Sequence, residues 1–141
     1  MSRGRPEPAP GRRAMREHEG AVSERTSGVL VIEIRGELDI DTVLRWTTLI
    51  EAALCELPAP HLLVLDLATL EFLTARGARG LLDAMESCRD RGIAGCLIVT
   101  PGSVADRVVR LTGLGDRARV FPNRLAAIAA SQPVAMRWLP G

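Results

Sequence analysis

Side chains able to do chemistry gather at two places in this 141-residue chain. One is Thr74-Ala75-Arg76-Gly77-Ala78-Arg79-Gly80, directly after Leu70-Glu71-Phe72-Leu73; the other is Asp39, after Arg35-Gly36-Glu37-Leu38. The first stretch supplies a hydroxyl, two cations and two glycines. An apolar run at 62–67 ends upstream and an amphipathic run begins at Ala78, so residues 74–77 are expected near a helix N-terminus. Unpaired backbone N–H groups and the positive end of the helix dipole collect there, an environment that suits an anion. Yet the stretch matches neither common phosphate fingerprint. A P-loop needs Gly-Lys-Ser or Gly-Lys-Thr, and a dinucleotide fold spaces its glycines two and three apart after its first strand. Nucleophilic catalysis finds no footing either: His61 precedes an apolar run with no hydroxyl or thiol placed beside it. Neither His18 nor His61 has Cys or carboxylate neighbours at metal-ligand spacing. The chain therefore reads as a non-enzyme, with no metal and no cofactor assigned.

The elements that must position these residues follow from periodicity. Ser27-Gly28 is a turn signal, and residues 29–35 alternate, with Leu30, Ile32 and Ile34 opposed by Val31, Glu33 and Arg35, as in a half-buried strand. Asp39 or Asp41 can cap a helix whose apolar positions are Val43, Leu44, Ile50, Ala53, Leu54 and Leu57. Leu62-Leu63-Val64-Leu65 is continuous, the pattern of a strand covered on both faces. The next helix carries Ala78, Leu81, Leu82, Met85 and Cys88 on one face, with Arg79 and Asp83 spaced i,i+4 on the other. After a strand at 96–99, Ser103 caps a helix expected to bury Val104, Val108 and Leu111, ended by Gly113 and Gly115. A short strand at 118–121 and a helix capped by Asn123 complete the order, with strands and helices alternating after an initial pair of strands.

Three blocks in this order resemble the STAS domain, the fold of bacterial anti-sigma factor antagonists: Arg35-Gly36-Glu37-Leu38-Asp39, Leu63-Val64-Leu65-Asp66-Leu67 leading to Leu70-Glu71-Phe72-Leu73, and Leu111-Thr112-Gly113-Leu114. The resemblance implies an α/β fold, a mixed β-sheet of four to five strands with about four helices packed mainly on one side. It also implies a phosphoacceptor loop, which in phosphorylated members reads Asp-Ser-Ser-Gly or Asp-Ser-Thr-Gly. Here the loop reads Thr74-Ala75-Arg76-Gly77, so Arg76 stands at the acceptor position and no phosphorylation is expected there. Thr74 is the remaining hydroxyl, two residues early.

By the same resemblance, the partner is an anti-sigma factor of the serine-protein-kinase type, bound through Asp39, Thr74, Ala75, Arg76, Gly77 and Arg79, with regulation of sigma-factor-dependent transcription as the outcome. The alternative within the resemblance is an adaptor in a stressosome-like or transporter-associated assembly. Asp39 reads equally as a helix cap, Arg76 as a solvated residue or a contact to an acidic patch, and Asp66 as a brace for strand-end backbone or a partner for an arginine.

Composition narrows the remaining classes. The net charge is +1, and all eighteen basic residues are arginines spread along the chain, which argues against nucleic acid as the main partner. With two Trp, two Phe and no Tyr the core must be aliphatic, and a stacking platform for single strands is not expected. Cys55, Cys88 and Cys96 are odd in number and fall inside expected elements, reading as reduced, buried thiols and a cytoplasmic setting. No window approaches the ~18 consecutive apolar residues of a membrane span. One domain is expected at 15–130, after a disordered leader at 1–14 whose composition cannot bury a core, and before a C-terminal tail at 131–141. The oligomeric state is left open.

Overall fold

Strands fall where β-branched and leucine residues run between turn signals. In the computed structural model, residues 14–18 and 21–131 are described, with side chains from 23 onward. The strands are β1 (Ala14–His18), β2 (Ala21–Thr26), β3 (Val29–Ile34), β4 (Gly36–Leu38), β5 (Leu62–Asp66), β6 (Leu70–Leu73), β7 (Ala94–Ile98) and β8 (Arg119–Phe121). The helices are α1 (Val43–Leu54), α2 (Ala75–Asp90), α3 (Val104–Thr112), α4 (Leu114–Arg117) and α5 (Arg124–Ala130). The expected leader and tail lie outside the described residues, apart from Ala14, which opens β1, and Ser131, which follows α5.

The main sheet runs β1-β2-β3-β5-β7-β8, antiparallel through β3 and parallel beyond it. It is the mixed sheet the sequence implied, extended to six strands because β1 pairs along the outer side of β2. Ser27 and Gly28, at φ 50° and 81°, make the β2–β3 turn; two successive positive φ values match the right-handed twist of a hairpin. Every residue of β5 is buried, as its unbroken apolar run requires.

Two aliphatic clusters sandwich this sheet. The larger joins Leu30, Ile32, Ile34, Leu63, Leu65 and Leu97 to the inner faces of α1 to α4. The smaller joins Val31, Val64, Cys96 and Ile98 to Ala127 of α5. Four helices thus cover one face and α5 covers the other.

Several local expectations change in the folded chain. Residues 70–73, to which the sequence assigned no element, form a strand that pairs in parallel with β4 as a separate two-stranded ladder. In α1 the buried positions are Trp46, Ile50 and Leu54, whereas Leu44 is 75% exposed and Leu57 lies exposed beyond the helix. In α3 the rotation differs from the one expected: Ala105 and Val109 are buried, while Val104 and Leu111 face solvent at 52% and 79%. Two stripes, 104/108/111 and 105/109, share the same helical period. Packing of α3 along β6 and α2 selects the stripe with the smaller residues. Gly113, in the left-handed region at φ 77°, ends α3, but Gly115 lies inside the single turn α4 rather than terminating anything. Cys55 is exposed at the end of α1, against the expectation of a buried thiol. Cys88 and Cys96 are buried, and loss of solvation pushes both thiols up to about 11.

Candidate functional site

The β4/β6 ladder sets Leu38 beside Leu73, so the loop leaving β4 and the entry to α2 lie together. Thr74 joins them. Its N–H donates to Leu38 O at 3.1 Å, and its hydroxyl oxygen accepts the Gly77 N–H at 3.0 Å while reaching Leu38 O at 3.4 Å. Thr74 is therefore the N-cap of α2, in extended conformation, with its side chain closing the first turn.

The glycines serve close packing. A Cβ on Gly77 would fall well inside contact distance of the Leu38 carbonyl, and one on Gly80 would strike Val43 of α1. What resembles an anion cradle in the sequence is a place where the α2 backbone must approach the Leu38 backbone and the Val43 side chain. Ala75, Arg76 and Arg79 point outward and are exposed; Arg79 pairs with Asp83 at 3.4 Å, one helical turn on. No acidic residue occupies the first turn of α2, so Arg76 stands at the positive end of the dipole without local compensation.

Asp39 organises the other half. Its Oδ1 accepts the backbone N–H groups of Asp41 and Thr42 at 2.9 and 3.0 Å and lies 3.2 Å from the Thr42 hydroxyl, while its carbonyl accepts the Val43 N–H at 2.8 Å. It thus fixes the entry to α1, three residues ahead of Thr42, whose own side chain makes no cap bond in that helix. Trp46 donates its indole N–H to Glu37 O at 3.2 Å, holding β4 down on α1.

Asp39 and residues 74–77 are brought together; Arg79 lies one turn along α2. Sequence reasoning missed the apolar groups beside them: Ile40 is 61% exposed, Leu44 75% and Phe72 49%. The signal for Ile40 was its place between two aspartates in a loop. Leu44 gave none, since its helical spacing suggested burial, and nothing in the sequence singled out Phe72.

Asp66 lies apart from this site and fills both of the structural roles considered for it. Its Oδ1 accepts the Ala68 N–H at 3.0 Å and its Oδ2 takes Arg124 Nε at 2.9 Å. Arg124 also reaches Glu24 at 2.7 Å and Glu33 at 3.7 Å. Burial raises the Glu33 carboxyl, but the Thr69 hydroxyl bond and the Arg35 and Arg124 charges outweigh it and hold the group below its ordinary range. His61 packs its ring against Gly28. Among the described residues no group of His, Cys, Asp and Glu is arranged to hold a metal ion, and no helix is long and apolar enough to cross a membrane.

The STAS domain model matches residues 21–127. The chain belongs to the STAS domain family. An anti-sigma-F factor antagonist of Mycobacterium tuberculosis, RsfA, is 30% identical over 111 residues, spanning 79% of this chain and 86% of that protein. Among solved structures, an anti-sigma factor antagonist from Mycobacterium paratuberculosis superposes with a TM-score of 0.69 at 25% identity, covering 89% of this chain and 98% of the other. The unphosphorylated antagonist SpoIIAA shares the STAS fold at 18% identity, with a TM-score of 0.59 over 92% of this chain and all of its own.

Proposed function

We propose that this STAS domain is an anti-sigma factor antagonist whose competence to bind does not depend on phosphorylation of the α2 entry. The likeness to mycobacterial antagonists over most of the chain supports the function. The observation that carries the second part is the α2 entry itself. Arg76 has no hydroxyl, Ala75 has none, and the Thr74 hydroxyl is engaged as the helix cap. A kinase acting at Thr74 must first dismantle that cap, at about 1 kcal/mol.

The partner surface in this reading is built from Asp39, Thr74, Ala75, Arg76, Gly77 and Arg79, rimmed by Ile40, Leu44 and Phe72. Exposed apolar side chains beside arginines suit a partner patch that is apolar at its centre and acidic at its edge. The partner is an anti-sigma factor of the serine-kinase type, met in the cytoplasm, and the chain acts by binding rather than by catalysis.

The test is to incubate the purified chain with its anti-sigma factor and ATP, then measure intact mass and affinity together. The expected result is a stable complex, no added mass, and an affinity unaffected by prior incubation with ATP. One phosphate mapped to Thr74, with loss of binding, would overturn the unswitched reading; absence of any complex would overturn the function.

A further inference from the structure

The outer face of α3 is the feature that neither the core nor the α2 entry accounts for. Val104, Arg107 and Leu111 lie on one stripe of that helix at i, i+3 and i+7, with Val104 and Leu111 more than half exposed and Arg107 exposed between them, while Val108 at i+4 is half-buried against the core. A groove of about 430 Å3 runs along it, lined by Gly102, Ser103, Arg107, Arg110 and Leu111. The helix under it is firmly set. Ser103 Oγ accepts the Asp106 N–H at 3.2 Å, and Asp106 in turn accepts the Gly102 N–H at 2.8 Å and pairs with Arg110 at 2.7 Å. Through its opposite face, Ala105 and Val109, α3 packs along β6, the strand that runs straight into Thr74.

We propose that the outer face of α3 docks an acidic amphipathic helix of the protein partner. The identity of that partner rests on the functional reading above. Valine and leucine at helical spacing present the ridge that a facing helix packs into. Charge selects the class: Asp106 pairs with Arg110 and Arg107 leaves this face net positive, so an incoming helix with glutamates beside its apolar stripe is favoured over a basic one.

The experiment uses the full chain, isotope-labelled, titrated with an amphipathic peptide of about 18 residues, long enough to form a helix, built from Glu, Leu and Ala. A second peptide replaces each Glu with Lys. The expected result is saturable movement of the backbone amide signals of residues 103–112 with the acidic peptide only. Arg107→Glu and, separately, Leu111→Ser should each weaken it by about tenfold, and Arg89→Glu, at the far end of α2, should not. Both test residues are exposed, so the remaining amide spectrum reports that the variants fold. In parallel, the anti-sigma factor is titrated against the same three variants, and Arg107→Glu and Leu111→Ser should weaken it likewise. No movement of the α3 signals, equal movement with the lysine peptide, or unchanged anti-sigma factor affinity in both α3 variants would overturn the inference. If the acidic peptide docks as expected but no anti-sigma factor binds the wild-type chain, the functional reading fails and the docking face stands.

Discussion

Thr74 uses its hydroxyl oxygen to accept the Gly77 N–H and keeps it within reach of Leu38 O, so the residue that offers a hydroxyl for modification is also the one that starts α2. Thr74→Ala is expected to lower unfolding free energy by about 1 kcal/mol, whereas Thr74→Ser keeps the cap and most of that stability; urea unfolding of the three proteins checks it. Arg76 works in the opposite direction, a cation at the positive end of a helix. Arg76→Glu should raise stability by about 0.3–1 kcal/mol at low ionic strength, an advantage that fades in salt, while weakening binding to an acidic partner. A rise in both stability and affinity would contradict the partner role given to Arg76. The cysteines divide by environment: Cys55 is exposed, whereas burial pushes Cys88 and Cys96 up to about 11. A thiol reagent at neutral pH should therefore label one site quickly and the other two only on unfolding, and rapid labelling of all three would show that the core opens.

At the scale of elements, α5 is tied to the sheet by Ala127 in the smaller cluster and by Arg124 among the carboxylates. Arg124 holds Glu24, Glu33 and Asp66 around it, three carboxylates that would face one another without it. Because the guanidinium is 39% exposed, solvent screens part of this. Arg124→Ala is expected to cost about 2 kcal/mol, toward the low end for breaking a partly buried pair. The pH dependence has a definite sign. Glu33 sits below its ordinary value of 4.5 in the folded chain, so its contribution is complete above that pH and is lost as the pH falls through the lower folded value. Acid titration of stability should show a decline below about 4.5 in the wild type and a shallower one in Arg124→Ala; parallel curves would show that the cluster contributes nothing. α2 depends instead on closeness. Gly77→Ala has no room against the Leu38 carbonyl and must displace β4 or the helix entry.

Across the whole molecule, burial separates stability from recognition. Leu65 is fully buried in the middle of the sheet and Leu44 is 75% exposed in the first turn of α1. Leu65→Ala should cost about 2–5 kcal/mol, while Leu44→Ala should stay within about 0.5 kcal/mol yet weaken the anti-sigma factor complex. Equal stability losses would place Leu44 in the core. The same division separates what could be read from the chain. The sequence by itself determined β5, the buried face of α2, the caps Ser103 and Asn123 and the Ser27-Gly28 turn, because each is set by neighbours within a few positions. Its three ordered blocks also carried the family. Only the tertiary structure decided that Leu70–Leu73 is a strand, since its partner β4 lies across α1 and β5 in the chain, and that Arg124 meets Glu24 from a hundred residues away. It decided the rotation of α3 as well: Val104/Val108/Leu111 and Ala105/Val109 are equally periodic, and the space left between β6 and α2, which no local pattern encodes, determines which stripe is buried and which is left to meet a partner.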